Sequence, residues 1–402
     1  MSVEATTDGA YRRWRRILAD HRLPAAVVDL EVFDANARAI LERAGGLPVR
    51  IASKSVRCTA LLRRLLDSDS RFRGLMCFTA GEAAWLADRG FDDLLVAYPS
   101  TTHHDIAAAC RATAAGARIV LTADSEAHLR LLSAIAADHG VKLPVSVEID
   151  LSLRLPGLTF GALRSPLREP ATVAAVARAA AADPHLEPAA IMGYEAQLAG
   201  VPDAAPGQWL QNRLVRLLKR ISRHRIRQRR EAILGALDAA NLRPAIVNAG
   251  GTGSLEFSRG LAGVTEVTAG SGFYNPLLFD AYTGFRHRPA AGFALPVSRR
   301  PGPGMVTCLG GGYPASGAAG EDRLPRPWLP AGARLSPLEG AGEVQTPVFY
   351  DGPETLELGD PVLFRHAKAG ELCERFDQLL LVEGEEIVDE VPTYRGEGQC
   401  FL

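Results

Sequence analysis

Lysine is almost missing from this chain: four of its 45 basic residues are Lys and the other 41 are Arg. Long apolar runs are missing too. None approaches the roughly 20 residues that a membrane-spanning helix needs, and a soluble protein with no membrane partner is expected. The formal net charge is only −1, which argues against nucleic acid or another polyanion as the natural partner. Six cysteines at 58, 77, 110, 308, 373 and 400 show no paired spacing. Neither a disulfide framework nor a Cys-x-x-Cys metal site is indicated, and free thiols are expected. No secretory h-region is present: residues 1–10 are polar, and residues 11–18 (YRRWRRIL) read as an amphipathic helix. A cytoplasmic location follows.

What is present is a chain of 402 residues, 47% hydrophobic, enough for one large core and a smaller domain. From residue 23 to about 282, short β-rich runs alternate with Ala/Leu/Arg-rich stretches of helical period. The runs cover 26–28, 49–53, 75–77, 94–98, 119–122, 145–150, 190–194, 245–248 and 265–268. Such alternation predicts parallel βα units. Nine runs for eight places suggest an α/β (β/α)8 barrel of the TIM type, with the first run pairing outside it. Lys54, Tyr98, Thr122, Asp150, Tyr194 and Asn248 end these runs, and in a barrel all such ends meet on one face. A doubly wound open sheet is the competing arrangement, but no run leads into Gly-x-Gly-x-x-Gly.

Beyond residue 288 the texture changes to Pro, Gly and short alternating strands at 305–309, 335–338, 345–350, 361–364 and 378–382, with a disordered loop expected over 310–327. The expected organisation is an N-terminal helical segment over 1–22, a barrel over 23–289 and a C-terminal β domain over 290–402. The basic stretch 212–230 carries Leu214, Leu218, Ile221 and Ile226 on one stripe and no interleaved aromatics. It reads as a solvated barrel helix rather than an RNA surface.

In a chain that writes its surface cations as Arg, Lys54 after Val49 and Ile51 calls for chemistry that Arg cannot do. A lysine against apolar walls can lose its proton and condense with an aldehyde, whereas arginine stays protonated. A snorkelling surface lysine is the structural alternative. Two glycine turns follow adjacent late strands: Asn248-Ala249-Gly250-Gly251-Thr252-Gly253-Ser254 and Ala269-Gly270-Ser271-Gly272. Glycines let successive N–H groups converge, and the hydroxyls add donors, as a barrel phosphate site requires.

Residues 23–30 (LPAAVVDL), Asn36 and the Ile51-Ala52-Ser53-Lys54 segment resemble the start of the alanine racemase-like (fold type III) pyridoxal-phosphate (PLP) enzymes, and most closely the D-threonine aldolase and D-serine dehydratase group. The resemblance implies a PLP Schiff base on Lys54, a phosphate held by Gly251, Thr252, Gly253, Gly270, Ser271 and Gly272, and a homodimer in which one subunit's β domain closes the other's barrel mouth. Arg154 in Glu148-Ile149-Asp150-Leu151-Ser152-Leu153-Arg154 is similar to an arginine delivered toward the cofactor ring; a surface arginine is the alternative, and Asp150 reads as a loop anchor. Tyr194 resembles the position beside the pyridine ring, with core packing as its alternative. Gln197 is a weaker candidate for contact with bound amino acid.

The group carries a metal site near the C-terminus, a His followed two residues on by Cys or Asp. This chain has His366 and, at the second position, Lys368, whose charge repels a divalent ion. His366 is therefore a candidate ligand that needs Glu371 or Cys373 to join it, and Lys368 is a candidate acid or base; a β-domain turn with a salt bridge is the structural alternative. The implied activity is a PLP-dependent lyase acting on a small D-configured 3-hydroxy amino acid, by retro-aldol cleavage or dehydration. A PLP-dependent racemase, a non-catalytic PLP carrier and an unrelated phosphosugar barrel enzyme are the alternatives.

Overall fold

The computed structural model describes residues 3–318 and 320–401. Residues 1 and 2 of the expected N-terminal segment, residue 319 of the expected loop and residue 402 lie outside the described residues.

Helix α1 (Val3–Ile17) buries Tyr11 and Trp14, and Leu18 just past its end continues the same face. It packs on the C-terminal part of the chain, with Arg15 paired to Asp360 at 2.8 Å. Strand β1 (Ala25–Asp29) pairs antiparallel and parallel with strands from beyond residue 290, so the first run lies outside the barrel. Asp29 ends β1 and caps α2 (Leu30–Ala44), its carboxylate accepting from Val32 N at 3.0 Å.

Eight strands then close a parallel barrel: β2 (Val49–Ala52), β3 (Phe72–Cys77), β4 (Leu94–Val96), β5 (Ile119–Ala123), β6 (Leu143–Glu148), β9 (Leu186–Gly193), β10 (Ile246–Ala249) and β11 (Glu266–Ala269), with β11 returning to β2. A small hairpin, β7 (Leu153–Leu155) and β8 (Leu158–Phe160), interrupts the sequence after β6. Side chains alternate along each strand. Leu94, Val96, Ile119, Leu121 and Ile191 join the main apolar core, while Leu95, Val120, Ala190 and Met192 form a separate small core inside the barrel. The barrel also encloses a polar network. Arg50, 1% exposed, donates to Glu266 at 2.7 and 2.9 Å and to Asp93 O at 2.6 Å, and Asn248 links Glu266 and Thr268.

The connecting helices are α3 (Thr59–Ser68), α4 (Ala80–Ala87), α5 (His103–Ala114), α6 (Glu126–Asp138), α7 (Pro170–Ala182), the short α8 (Ala196–Ala199), α9 (Trp209–Ala239) and the short α10 (Leu255–Ser258). Helix α9 is longer than the basic stretch suggested and is not uniformly solvated. Leu214 is 54% exposed, and two of its cations are buried: Lys219 against Asp203 at 3.0 Å and Arg230 against Glu195 at 3.2 Å. Charge alone hides this, because a buried partner can come from any element.

From β12 (Ala291–Gly302) the chain builds a nine-stranded sheet with β13 (Met305–Leu309), β14 (Arg326–Leu329), β15 (Arg334–Leu335), β16 (Gln345–Phe349), β17 (Pro361–Arg365), β18 (Gln378–Glu383), β19 (Glu386–Pro392) and β1. The stretch expected as a disordered loop is tied down. Ala315 N donates to Arg323 O at 2.7 Å, Ser316 N to the Glu371 carboxylate at 2.9 Å, and β14 begins at Arg326. These are long-range partners that a local composition of Gly, Ala and Pro does not reveal. Cys58, Cys77, Cys110, Cys308 and Cys373 are buried free thiols. Among the described residues no helix is long and apolar enough to cross a membrane.

Candidate active site

Lys54 occupies the middle of a single 3-10 turn, Ser53–Ser55, directly after β2. Its backbone is clamped from three sides. Ser53 Oγ donates to Met76 O of β3 at 3.0 Å, Arg57 Nε donates to the Lys54 carbonyl at 2.9 Å, and Arg57 is ion-paired to Glu374. The side chain is left free to enter a cavity of about 440 Å3 at the C-terminal ends of the barrel strands. There its Nζ donates to Tyr98 Oη at 2.6 Å. Burial alone would raise the Tyr98 phenol; Lys54 and Arg164 outweigh it and hold the pKa below the ordinary tyrosine value.

Across the cavity stand the two glycine turns. Gly250 has φ +87°, a conformation that favours glycine, and its N–H donates to Glu195 at 2.8 Å. Thr252 Oγ1 accepts from Gly270 N at 3.4 Å and Gly272 N at 3.1 Å, tying the turns together, and Ser271 Oγ meets Ser55 Oγ at 3.2 Å. Gly251, Thr252, Gly270 and Ser271 line the cavity. Gly253 and Gly272 do not. They are spacers at which an added Cβ would fall 2.9 Å from Tyr282 and 2.6 Å from Thr252 Cγ2.

Tyr194 follows β9 and lines the cavity, its phenol pushed up to about 12 by burial. The Arg164 guanidinium carbon sits 5.2 Å from the Tyr98 ring centroid and 5.6 Å from that of Tyr194, bridging the two rings. Glu148 ends β6 on the same wall, 4% exposed. Burial lifts its carboxyl to about 7, with Asp124 and Asp150 adding and Arg164 opposing.

Two expected roles are corrected here. Arg154 does not reach the cavity: it lies on β7, half exposed, with Nη2 on Asp150 at 2.9 Å. The arginine between the rings is Arg164, ten residues on, because the β7–β8 hairpin turns the chain back before it meets the mouth; no periodicity marks that position. Gln197 also misses the cavity. Its amide donates to Leu151 O at 2.8 Å and anchors the hairpin. Asp150 is the loop anchor expected, accepting from Ser152 N at 2.7 Å and pairing with Arg154 and Arg168. Glu148 carried no role in the sequence, since its significance lies in burial at a strand end.

The segment after β17 closes one side of the cavity within the same chain, where the resemblance had it facing Lys54 of a partner subunit. Lys368, Ala369, Gly370 and Glu371 line it together with Phe279, while Tyr274 is fully buried and donates to Val56 O at 2.9 Å. A side chain on Gly370 would collide with the Lys54 carbonyl, so this approach requires glycine. Lys368 Nζ donates to Ser316 Oγ at 2.9 Å. His366 is buried beside a neighbouring cavity of about 250 Å3, both ring nitrogens without a hydrogen-bond partner and its pKa pressed down to about 3 by burial and Arg365. Neither substitute ligand joins it: Glu371 accepts from Ser316 N, and the Cys373 thiol donates to Val56 O at 3.3 Å. Among the described residues no three His, Cys, Asp or Glu side chains group to hold a metal ion, so the donor set does not fit one.

A closed parallel barrel with a lysine at one strand end and a pair of glycine turns lining the same cavity places the chain among α/β barrel proteins whose ligand-sized cavity lies at the C-terminal ends of the strands. Residues 28–276 match the family described as alanine racemase, N-terminal domain, and the chain belongs to that family. It is 28% identical over 261 residues to 3-hydroxy-D-aspartate aldolase of Paracoccus denitrificans (strain Pd 1222), covering 64% of this chain and 59% of that protein. Its fold is similar to that of D-threonine aldolase from Filomicrobium marinum (TM-score 0.79, 20% identity, 94% of this chain and 96% of that one). D-threo-3-hydroxyaspartate dehydratase from Delftia sp. HT23 is similar at TM-score 0.75 and 19% identity, over 94% and 98% of the two chains. The expected fold, a (β/α)8 barrel of the alanine racemase type with a β domain, is the fold observed.

Proposed function

We propose that the chain is a pyridoxal-phosphate-dependent lyase that cleaves or dehydrates a small D-configured 3-hydroxy amino acid, working as a cytoplasmic homodimer. The observation that carries this reading is Lys54 Nζ, 2.6 Å from Tyr98 Oη, in one cavity with Tyr194 and the turns at 250–252 and 270–271. The donor set fits the cofactor. Lys54 would hold it covalently, Tyr194 and Arg164 would flank its ring, and Ser55, Ser271 and the glycine turns would take its phosphate. The relatives' activities, aldolase and dehydratase on D-configured 3-hydroxy amino acids, support the substrate class.

When bound, pyridoxal phosphate draws electron density away from the amino acid's α-carbon. The protein's part is positioning and proton movement. The Tyr98 hydroxyl, acidified by Lys54 and Arg164, keeps the Lys54 amine pointed at the cavity and offers a nearby site for its proton. Arg164 holds its charge between the rings and cannot release a proton. Segment 368–371, Phe279 and Leu278 wall the cavity on the other side and limit water.

A test is direct. The purified protein should show a visible absorbance band that borohydride abolishes. A panel of D- and L-amino acids scored for keto acid, aldehyde and inversion then separates dehydratase, aldolase and racemase. Absence of the band in cofactor-saturated protein removes this function.

A further inference from the structure

Two of the chain's four lysines meet in one cavity. Lys219 is committed to Asp203, and Lys142 is an exposed residue after α6. Lys54 and Lys368 both line the site. Lys368 is half-buried, with a neutral hydroxyl, Ser316 Oγ, as its hydrogen-bond partner. The acid nearest in sequence, Glu371, directs both carboxylate oxygens at Ser316 N, at 2.9 and 3.2 Å.

The segment that carries this cation is held by backbone hydrogen bonds. Leu277 N donates to His366 O at 3.1 Å and Leu278 N to Ala367 O at 3.3 Å, which fixes the segment to the turn after the last barrel strand. On the other side Gly370 abuts the Lys54 carbonyl. A charged donor facing a cavity with one neutral partner has spare hydrogen-bonding capacity for a ligand oxygen. A divalent ion at the same place would meet Lys368 repulsion and too few ligands.

We propose that Lys368 is a specificity-determining cation of this site, donating to the oxygen on the β-carbon of the bound amino acid and so selecting 3-oxygenated substrates without a divalent metal. The inference rests on the cofactor-dependent function above and adds to it a specificity-determining residue. It commits the Lys368 Nζ–H groups to a substrate atom that alanine-like amino acids lack.

The holoenzyme is titrated with D-serine and with D-alanine, following the initial change in visible absorbance, for the wild type, Lys368→Met and Lys368→Arg. Each variant's melting curve is recorded alongside. The wild type should bind D-serine more tightly than D-alanine. Lys368→Met should lose roughly 10–100-fold in D-serine affinity, the span of a charged hydrogen bond, and little for D-alanine. Lys368→Arg should recover most of the preference, and chelator should leave both affinities unchanged. An unaltered preference in Lys368→Met, or a preference that disappears with chelator and returns with zinc or manganese, overturns the proposal. A wild type that forms no visible band overturns the cofactor-dependent function, and this proposal with it; a normal band with no effect at Lys368 overturns this proposal alone.

Discussion

Glu195 and Arg230 form an ion pair at 3.2 Å with side chains 0% and 1% exposed, and the second Glu195 oxygen accepts from Gly250 N at 2.8 Å. A cation on the outer helix α9 is thereby wired through one carboxylate to the glycine turn that faces the cavity. Arg230 also donates to the Gly193 carbonyl at 2.9 Å, so the end of β9 and the turn after β10 share one anchor. Arg230→Met leaves the Glu195 carboxylate buried without its partner, a change worth about 3–5 kcal/mol. The expected outcome is a lowered melting temperature and weakened cofactor retention on dialysis, with Arg230→Met/Glu195→Gln less damaged than the single variant. Equal stability of single and double variants in a double-mutant cycle would detach the pair from the turn.

Lys54→Ala should abolish the visible band and all turnover while leaving the melting temperature within a degree or two of wild type. The lysine's side chain is exposed to the cavity, and the turn around it is held by Ser53, Arg57 and Gly370 rather than by the amine. Turnover retained in this variant would remove Lys54 from the chemistry.

Arg164→Leu and Arg154→Leu should behave differently although the two residues lie ten positions apart. Arg164→Leu removes the cation between the Tyr98 and Tyr194 rings, so the visible band should shift and the rate fall by at least tenfold. Arg154→Leu breaks a half-exposed contact to Asp150, which keeps Arg168 and Ser152, and should cost little of either. Absorbance spectra and steady-state rates of the two variants side by side decide which arginine serves the site.

His366→Ala should cost far less activity than Lys54→Ala. Its imidazole lines the neighbouring cavity, makes no hydrogen bond and is kept neutral by burial. Rates for the two variants, with and without chelator, are the measurement; a loss in His366→Ala equal to that in Lys54→Ala would return the histidine to the mechanism.

Stability should fall as pH rises from about 5 to about 8. Glu82 is fully buried behind the Lys54 turn, accepting from Phe78 N at 2.7 Å and Tyr394 Oη at 3.0 Å, and burial lifts its carboxyl to about 7. A carboxyl with a raised folded-state pKa binds its proton more tightly when folded. Its contribution is therefore whole below the unfolded pKa and is lost as pH climbs through the folded one, a difference on the order of 3 kcal/mol. Glu82→Gln should flatten that slope in urea-unfolding curves taken across the range. An unchanged slope would assign the pH dependence to another group, Glu148 being the next carboxyl lifted to about 7.

The sequence by itself determined the barrel strands and marked the reactive residues that a single stretch can show. Alternating apolar runs fixed eight barrel strands and an outlying first strand, because side-chain period and strand length are local properties. Lys54 and the paired turns at 250–254 and 270–272 were legible for the same reason: an isolated lysine in an arginine-rich chain and glycines after strands are visible in a few residues. Tertiary structure decided the rest. Arg164 replaced Arg154 at the rings because the β7–β8 hairpin reversed the chain between them. Gln197 and Arg230 became anchors, and Glu148 gained a lifted pKa, because burial and partners come from elements tens of residues away. Lys368 lines the same cavity as Lys54 of its own chain although more than three hundred residues separate them, and only the packing of the segment after β17 against the barrel mouth brings them there. Local sequence encodes propensity and reactivity; which reactive groups share one cavity is fixed by long-range packing, which no stretch of sequence contains.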